Sequence, residues 1–460
     1  MRHADREHRQ RQNEKSRSRT GLLWTGYLGH CTCSGWFPRG SIRRAPVVYD
    51  ERSENHGVYH QIVPQTVSDL IVHGTPAYRR LSVALLMAGF STFALMYDVQ
   101  PLLPTFTAQF GVNAATASLA VSLTTGTMAL TFIPAAVLSD RIGRRALMIF
   151  SLLAAAALTM LSAVVPGWTQ LLAMRAAIGV ALAGIPSVAM AYVSEEVHPS
   201  SIGSAMGLYI AASAIGGMAG RLGAAFISQY IGWREAIGLL GAAGLAAGLA
   251  FAVFAPRPRA FCPVHHDLRS LALAMRGLLA DKALPLLYVA AFLLMGVFVT
   301  IFNYLGFRLE AAPYRLSQAA VGLVFLVYLL GSFSSAWMGG LASRLGPGRV
   351  FWMPIAVLAA GIALTVVHPL AAVLCGIAIV TGAFFAAHST ASGWVARRAT
   401  RDRAQASALY LLFYYFGASL LGSVGGLAWN HAAWLGVAGF VLILTVAALV
   451  IALWARHLER

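Results

Sequence analysis

The chain has 460 residues, of which 58% are hydrophobic and only 11% charged, with 44 glycines and a mean hydropathy of +0.68. Soluble globular proteins carry about 25% charged residues, so this composition excludes that class as well as a disordered or collagen-like chain and points to a membrane-embedded chain, which the apolar runs below make an expected all-α membrane protein. The net charge of +17 sits mainly in loops and a tail, which argues against a nucleic-acid partner.

Residues 1–78 read as a polar, basic N-terminal tail, with eleven Arg or Lys before Arg79 and no apolar run of spanning length. The segment is expected to be a disordered extension or an over-long gene model. From Leu81 onward, apolar runs recur, each long enough to cross a ~30 Å hydrocarbon core at ~1.5 Å per residue. Twelve are expected, at 82–104, 115–138, 147–165, 168–192, 203–228, 232–255, 284–307, 318–341, 350–367, 369–393, 404–429 and 432–454. They divide into a bundle over 79–255, a cytoplasmic linker over 256–283 and a bundle over 284–460.

The short loops are asymmetric in charge. Those after even-numbered spans, together with the C-terminus, hold Arg141, Arg144, Arg145, Arg257, Arg259, Arg269, Arg276, Lys282, Arg344, Arg349, Arg397, Arg398, Arg401, Arg403, Arg456 and Arg460, whereas the opposite face has Arg234, Arg308 and Arg315. The bias toward cytoplasmic cations places both termini in the cytoplasm. The linker carries His265 and His266, read as solvated residues and not as metal ligands. Cys31, Cys33, Cys262 and Cys375 form neither a metal nor a disulfide pattern.

The two halves repeat. A shift of 201 residues aligns Tyr209 with Tyr410, Gly216 with Gly417 and Trp233 with Trp434, and a shift of 203 aligns Leu138, Arg141 and Gly143 with Leu341, Arg344 and Gly346. Repeated halves around a central site are the physical plan of an alternating-access transporter.

Between the second and third spans the chain reads Ala136-Val137-Leu138-Ser139-Asp140-Arg141-Ile142-Gly143-Arg144-Arg145, and a degenerate copy, Gly339-Gly340-Leu341-Ala342-Ser343-Arg344-Leu345-Gly346, follows the eighth span. This resembles the signature loop of the major facilitator superfamily. The resemblance implies twelve transmembrane helices in two pseudo-symmetric six-helix bundles, with Asp140, Arg141, Gly143, Arg144 and Arg145 as a gating loop. Arg175-x-x-x-Gly179 resembles the family's fourth-helix motif. Gly207, Gly216, Gly220, Arg221 and Ala224 have the spacing of its fifth-helix antiporter motif, with Arg221 in place of Pro and Ala224 in place of the last Gly. The glycines are expected to allow close helix approach. Within the superfamily, phrases such as 97–104, 302–308 and 384–389 resemble the bacterial arabinose-efflux-like permeases, which implies a bacterial inner membrane.

Of the seventeen acids, Asp98 alone lies well inside an expected span. Asp98 is placed ~9 Å and Arg175 and Arg221 ~10 Å from the outer face. A charge inside a span costs about 2.5–3.5 kcal/mol, so three at one depth imply mutual pairing or a water-filled cavity, and pairing is the preferred expectation. Asp98 is then the candidate proton-coupling carboxylate, its protonation releasing Arg175; a permanent salt bridge holding helices in register is the alternative. Arg221 is alternatively a candidate for attracting an anionic substrate. Asn303, Tyr304, His388, Tyr414 and Tyr415 are further candidates for the substrate pathway.

The leading expectation is proton-coupled efflux of a small organic compound, with solute uptake by symport or uniport as the alternative. A non-transporting receptor or intramembrane enzyme is a remote third. No G-x-x-x-x-G-K-[ST], H-E-x-x-H or G-x-S-x-G pattern is present, so neither ATP hydrolysis, a cofactor nor an enzymatic centre is expected. The expected partners are a small-molecule substrate, protons and the lipid bilayer, with the chain acting as a monomer.

Overall fold

The computed structural model describes residues 70–258, 268–400 and 402–458, the side chains of 268–271 excepted. Cys31, Cys33, Arg259, Cys262, His265, His266, Arg401, Arg460 and nearly all of the basic tail lie outside the described residues. Among the described residues there is no β-strand, only an isolated bridge between Ile71 and Val197. The first helix starts at Pro76, inside the last residues assigned to the tail, where Thr75 accepts from the Tyr78 amide and proline occupies the first turn. Just before it, Ile71 exchanges backbone hydrogen bonds with Glu196 and His198 at 2.9 and 3.0 Å, fastening the chain to the junction of the fourth and fifth spans.

Among the described residues, eleven helices are long and apolar enough to cross a membrane, from Pro76–Phe110 to Arg403–His457. The last has 55 residues, about 80 Å if straight, far beyond one crossing. Its backbone leaves helical geometry at Ala432 and Ala433, and a Cβ on Gly436 would meet the carbonyl of Ala428. Residues eight apart on a straight helix lie ~12 Å apart, so the chain reverses here and supplies the eleventh and twelfth spans. The spans overrun their hydrophobic stretches: the second is Ala114–Ile142 and the tenth Leu370–Arg398. Capped polar turns continue the helices past the apolar runs, which is why boundaries taken from hydropathy alone are too short.

The linker over 256–283 has secondary structure of its own. It contains a helix, Leu268–Leu279, whose Leu278 is buried and whose Met275 packs on the core while Leu273 is exposed. Spacing of three to four residues between apolar positions gives this helix one adhering face. Asp281 then accepts from the amides of Ala283 and Leu284 at 2.8 and 2.9 Å, opening the seventh span, Leu284–Glu310, and pairs with Arg398 at 2.8 Å.

The repeat persists in three dimensions. Gly143 has φ 96° and ψ 137°, and Gly346 has φ 90° and ψ 139°, a left-handed conformation that favours glycine at the same loop of each half. Gly216 of the fifth span, Pro199–Ile231, lies on the backbone of Phe90 in the first, and Gly417 of the eleventh lies on that of Phe292 in the seventh. In both cases a Cβ would collide with the neighbouring main chain.

Side-chain hydrogen bonds join the halves toward the Arg-poor face. Ser419 and Ser423 donate to the carbonyl and hydroxyl of Ser122, each at 2.7 Å, and Gln318 donates to Thr105 at 3.1 Å. Toward the Arg-rich face, a Cβ on Gly203 or Gly207 of the fifth span, or on Gly339 or Gly340 of the eighth, would meet nothing within 4 Å. The two halves are thus joined at one end, with open space beside these glycines at the other.

Candidate functional site

The site begins with a broken helix. Pro101 and Pro104 have no amide hydrogen, and the first span passes from an α-helix ending at Tyr97 through a 3-10 turn, Gln100–Leu102, into Leu103–Phe110. Asp98 Oδ1 takes the Val99 amide at 2.9 Å, diverting it from the helical ladder. Carbonyls near the end of the helix therefore need other donors.

Arg175 supplies them. From the fourth span, Trp168–Glu196, its guanidinium donates to Met96 O at 2.8 Å and Leu95 O at 3.4 Å, and to Ala120 O of the second span at 3.1 Å. It also pairs with Asp98 Oδ1 at 2.9 Å, both side chains being fully buried. The cation thus neutralises the carboxylate and the negative end of a helix together. Asp98 Oδ2 is buried with no hydrogen-bond partner in the protein. Gly179, one turn on, packs against Thr124 and Thr127, which return hydrogen bonds to the carbonyls of Arg175 and Ala176 at 3.0 and 2.8 Å.

The expected mutual pairing of three charges is only half realised. Asp98 and Arg175 meet, but Arg221 is held by neutral groups: Gln100 Oε1 and Gly217 O, both at 2.6 Å. Its guanidinium carbon also lies 4.0, 4.8 and 5.5 Å from the ring centroids of Tyr97, Tyr328 and Phe325. Equal depth did not mean proximity, because Arg175 and Arg221 approach the broken first span from different helices. Gln100, two residues after Asp98, links Arg221 to the other half by donating to Asn303 Oδ1 at 2.7 Å. The glycine motif is partly realised as well. Gly216 and Gly220 seat the fifth span on the backbone of Phe90 and Ala94, whereas Gly207 faces open space.

The remaining candidates separate into two groups. Tyr304 is fully buried and ties the seventh span to the eleventh through Gly422 O at 3.1 Å, stacked on Trp429. His388 and Tyr414 are half-buried with ring centroids 4.6 Å apart, and His388 Nδ1 shares a 2.9 Å hydrogen bond with Tyr410. Tyr415 is buried beside Tyr414 and reaches across to Phe132 of the second span at 5.5 Å. In the loop motif, Arg144 joins Asp140 at 3.1 Å to Glu195 at 2.6 Å. Arg145 donates to the Ala252 and Ala255 carbonyls at 2.6 and 3.0 Å, capping the sixth span, while Arg141 is exposed.

Sequence reasoning missed Gln100, Tyr97, Tyr328, Glu195 and Ser122 as parts of these networks. Gln100 carried a usable signal, a second polar residue beside Asp98 within an apolar span. The tyrosines carried none, since aromatic residues in spans are common. Among the described residues no group of His, Cys, Asp and Glu is arranged to hold a metal.

Comparison with known proteins agrees with this architecture. The family model described as Major Facilitator Superfamily matches residues 81–331. The chain is 42% identical over 381 residues to the MFS-type transporter YybF of Bacillus subtilis, covering 83% of this chain and 93% of that one. It is 41% identical over 384 residues to the inner membrane transport protein YnfM of Escherichia coli, covering 84% and 92%. Among solved structures, a bacterial homologue of the human lysosomal transporter Spinster, in an inward-facing and unoccupied conformation, superposes with a TM-score of 0.68 at 16% identity, covering 83% of this chain and 96% of that one. With its twelve spans and its loop motif at the second-to-third junction, the chain belongs to the Major Facilitator Superfamily of membrane transporters.

Proposed function

We propose that the protein is a secondary active transporter that exports a small organic compound in exchange for protons by alternating access, with Asp98 as the proton site. The observation that carries this reading is the fully buried Asp98–Arg175 pair at the break of the first span. Deprotonated Asp98 holds Arg175 on the helix end. A proton taken at the unpartnered Oδ2 removes the negative charge, so the clamp on the Leu95 and Met96 carbonyls weakens. Gln100 shares the same break and reaches Arg221 and Asn303, so a shift there is passed to the second half. Coupling thus rests on a two-state element that both proton and cargo bias.

Contacts between the halves toward the Arg-poor face and open space at the other end support a state accessible from the Arg-rich side. By the charge bias, that side is the cytoplasm of a bacterial inner membrane and both termini lie there. The two repeated halves in one chain support a monomer as the working unit.

The test is pH change reported by a dye in inside-out vesicles challenged with a compound panel, comparing wild type with Asp98→Asn. Compound-triggered proton release that vanishes in the variant is expected. An equal response in both would leave Asp98 as a structural clamp and remove it from coupling.

A further inference from the structure

Arg221 poses a separate problem. It is 2% exposed, lies in the fifth span, and its polar contacts are to neutral oxygens of Gln100 and Gly217. Asp98 is committed to Arg175, so it does not offset this cation. A charge inside a span costs about 2.5–3.5 kcal/mol unless it is offset, and ring faces repay about 0.5–2 kcal/mol. The structure therefore keeps a costly cation between its two halves, touching Tyr97 on one side and Tyr328 and Phe325 on the other.

Two hydroxyls on the rings beside it, Tyr97 Oη and Tyr328 Oη, have no hydrogen-bond partner in the protein, nor does Asn303 Nδ2 on the far side of Gln100; the three side chains are 4%, 6% and 1% exposed. A guanidinium with spare N–H and O–H donors around it is the chemistry of an anion receptor. From Tyr328 the rings continue to Phe298 at 5.6 Å, then to Phe384, stacked on Phe298 at 3.9 Å, and to the half-buried His388, stacked on Phe384 at 6.1 Å. Ring faces favour a planar apolar partner, and one entering here displaces existing ring contacts such as the Phe298–Phe384 stack, whose members are 3% and 1% exposed.

We propose that Arg221 and the donors around it bind the carboxylate of the cargo, and that the transported compound is a small organic monoacid with a planar apolar body. The assignment rests on the transporter reading above. One guanidinium offsets one negative charge, which favours a carboxylate over a doubly charged phosphate ester. Binding the acid relieves the buried cation and draws Tyr97 of one half and Tyr328 of the other onto the same ligand.

The test is the melting temperature of the purified full-length protein in detergent with matched acid and amide pairs: benzoate with benzamide, and hydrocinnamate with hydrocinnamamide. At about 10 mM even a site of ~1 mM affinity is mostly occupied, so an acid that binds raises the melting temperature. The expected result is stabilisation by the acids and not by the amides. It is lost in Arg221→Gln, partly kept in Arg221→Lys, and shifted several-fold to higher concentration in Tyr328→Phe, which preserves the ring. The ligand-free melting temperature of each variant separates loss of binding from loss of fold. Stabilisation by amides equal to that by acids, stabilisation by phenyl phosphate in place of the carboxylates, acid binding intact in folded Arg221→Gln, or no shift with any acid would each overturn the assignment.

Proteoliposomes separate this failure from that of the transporter reading. Movement of a neutral or cationic compound independent of Arg221 would sink the acid assignment and leave transport standing. Arg221-dependent acid binding without any movement across the bilayer would do the reverse.

Discussion

Breaking the Asp98–Arg175 pair from either side should give unequal costs. Asp98→Asn keeps an oxygen opposite the guanidinium but removes its charge, leaving Arg175 with carbonyl acceptors on Leu95, Met96 and Ala120. Unpairing one partner of a buried ion pair costs about 3–5 kcal/mol; the surviving acceptors put this variant near the lower figure, about 3 kcal/mol. Arg175→Gln strands the carboxylate and also frees the carbonyls, which at about 1 kcal/mol per lost hydrogen bond raises the cost to about 4–6 kcal/mol. The double variant leaves no stranded charge, so it should cost little more than Arg175→Gln alone, a coupling of about 2–3 kcal/mol. Unfolding in mixed micelles, followed by tryptophan fluorescence for all four proteins, measures this cycle. Additive single effects, with coupling below about 0.5 kcal/mol, would refute the claim that the two side chains act as one element.

Further outcomes follow from the packing. Gly216→Ala should destabilise by about 1–3 kcal/mol, because its Cβ must displace the backbone of Phe90, and Gly417→Ala should do the same against Phe292; Gly207→Ala, facing open space, should stay within about 0.5 kcal/mol. Melting curves of the three variants check this. Burial pushes the Asp281 carboxyl up, but hydrogen bonds from Arg398 and the amides of Leu284 and Ala283 outweigh it and hold it below the usual carboxylate range. With the native value below the unfolded one, its stabilisation is present above the unfolded pKa of about 4 and is lost as pH falls through the native value. The stability gap between wild type and Asp281→Asn should therefore close below about pH 4. Glu195→Gln removes the charge opposite Arg144 on a half-exposed pair and should shift stability by no more than about 1 kcal/mol, read by the same unfolding assay.

Much of the fold was legible because a bilayer forces it. Backbone polar groups must be satisfied inside each segment, so apolar runs become helices, and the repeat of Gly143 in Gly346 and of Gly216 in Gly417 reported two similar halves before any coordinates. Helix ends were less legible at the polar C-terminal turns: the second span runs on to Ile142 and the tenth to Arg398, four and five residues past their expected ends, whereas the N-caps Asn113 and Ser317 start their helices within a residue of the expected position. In the site, rarity identified Asp98 and Arg175 correctly as neighbours, because a buried acid needs a cation. Arg221 was placed at the right depth and given the wrong partner: depth fixes one coordinate, and the azimuth of each helix depends on packing that hydropathy does not encode. Gln100 lay in plain view within the phrase 97–104, yet its reach to Asn303, 203 residues away, is set by the docking of the two halves.

The central claim, that the halves must part on the Arg-poor side during each cycle, is tested most directly by a reversible cross-link. In a background with the four native cysteines replaced, Ser122→Cys with Ser423→Cys places two thiols where the hydroxyls now meet at 2.7 Å. Oxidation should join the first half to the second and stop solute movement in proteoliposomes, and a reductant should restore it. Undiminished transport by the fully cross-linked protein would contradict alternating access through this interface.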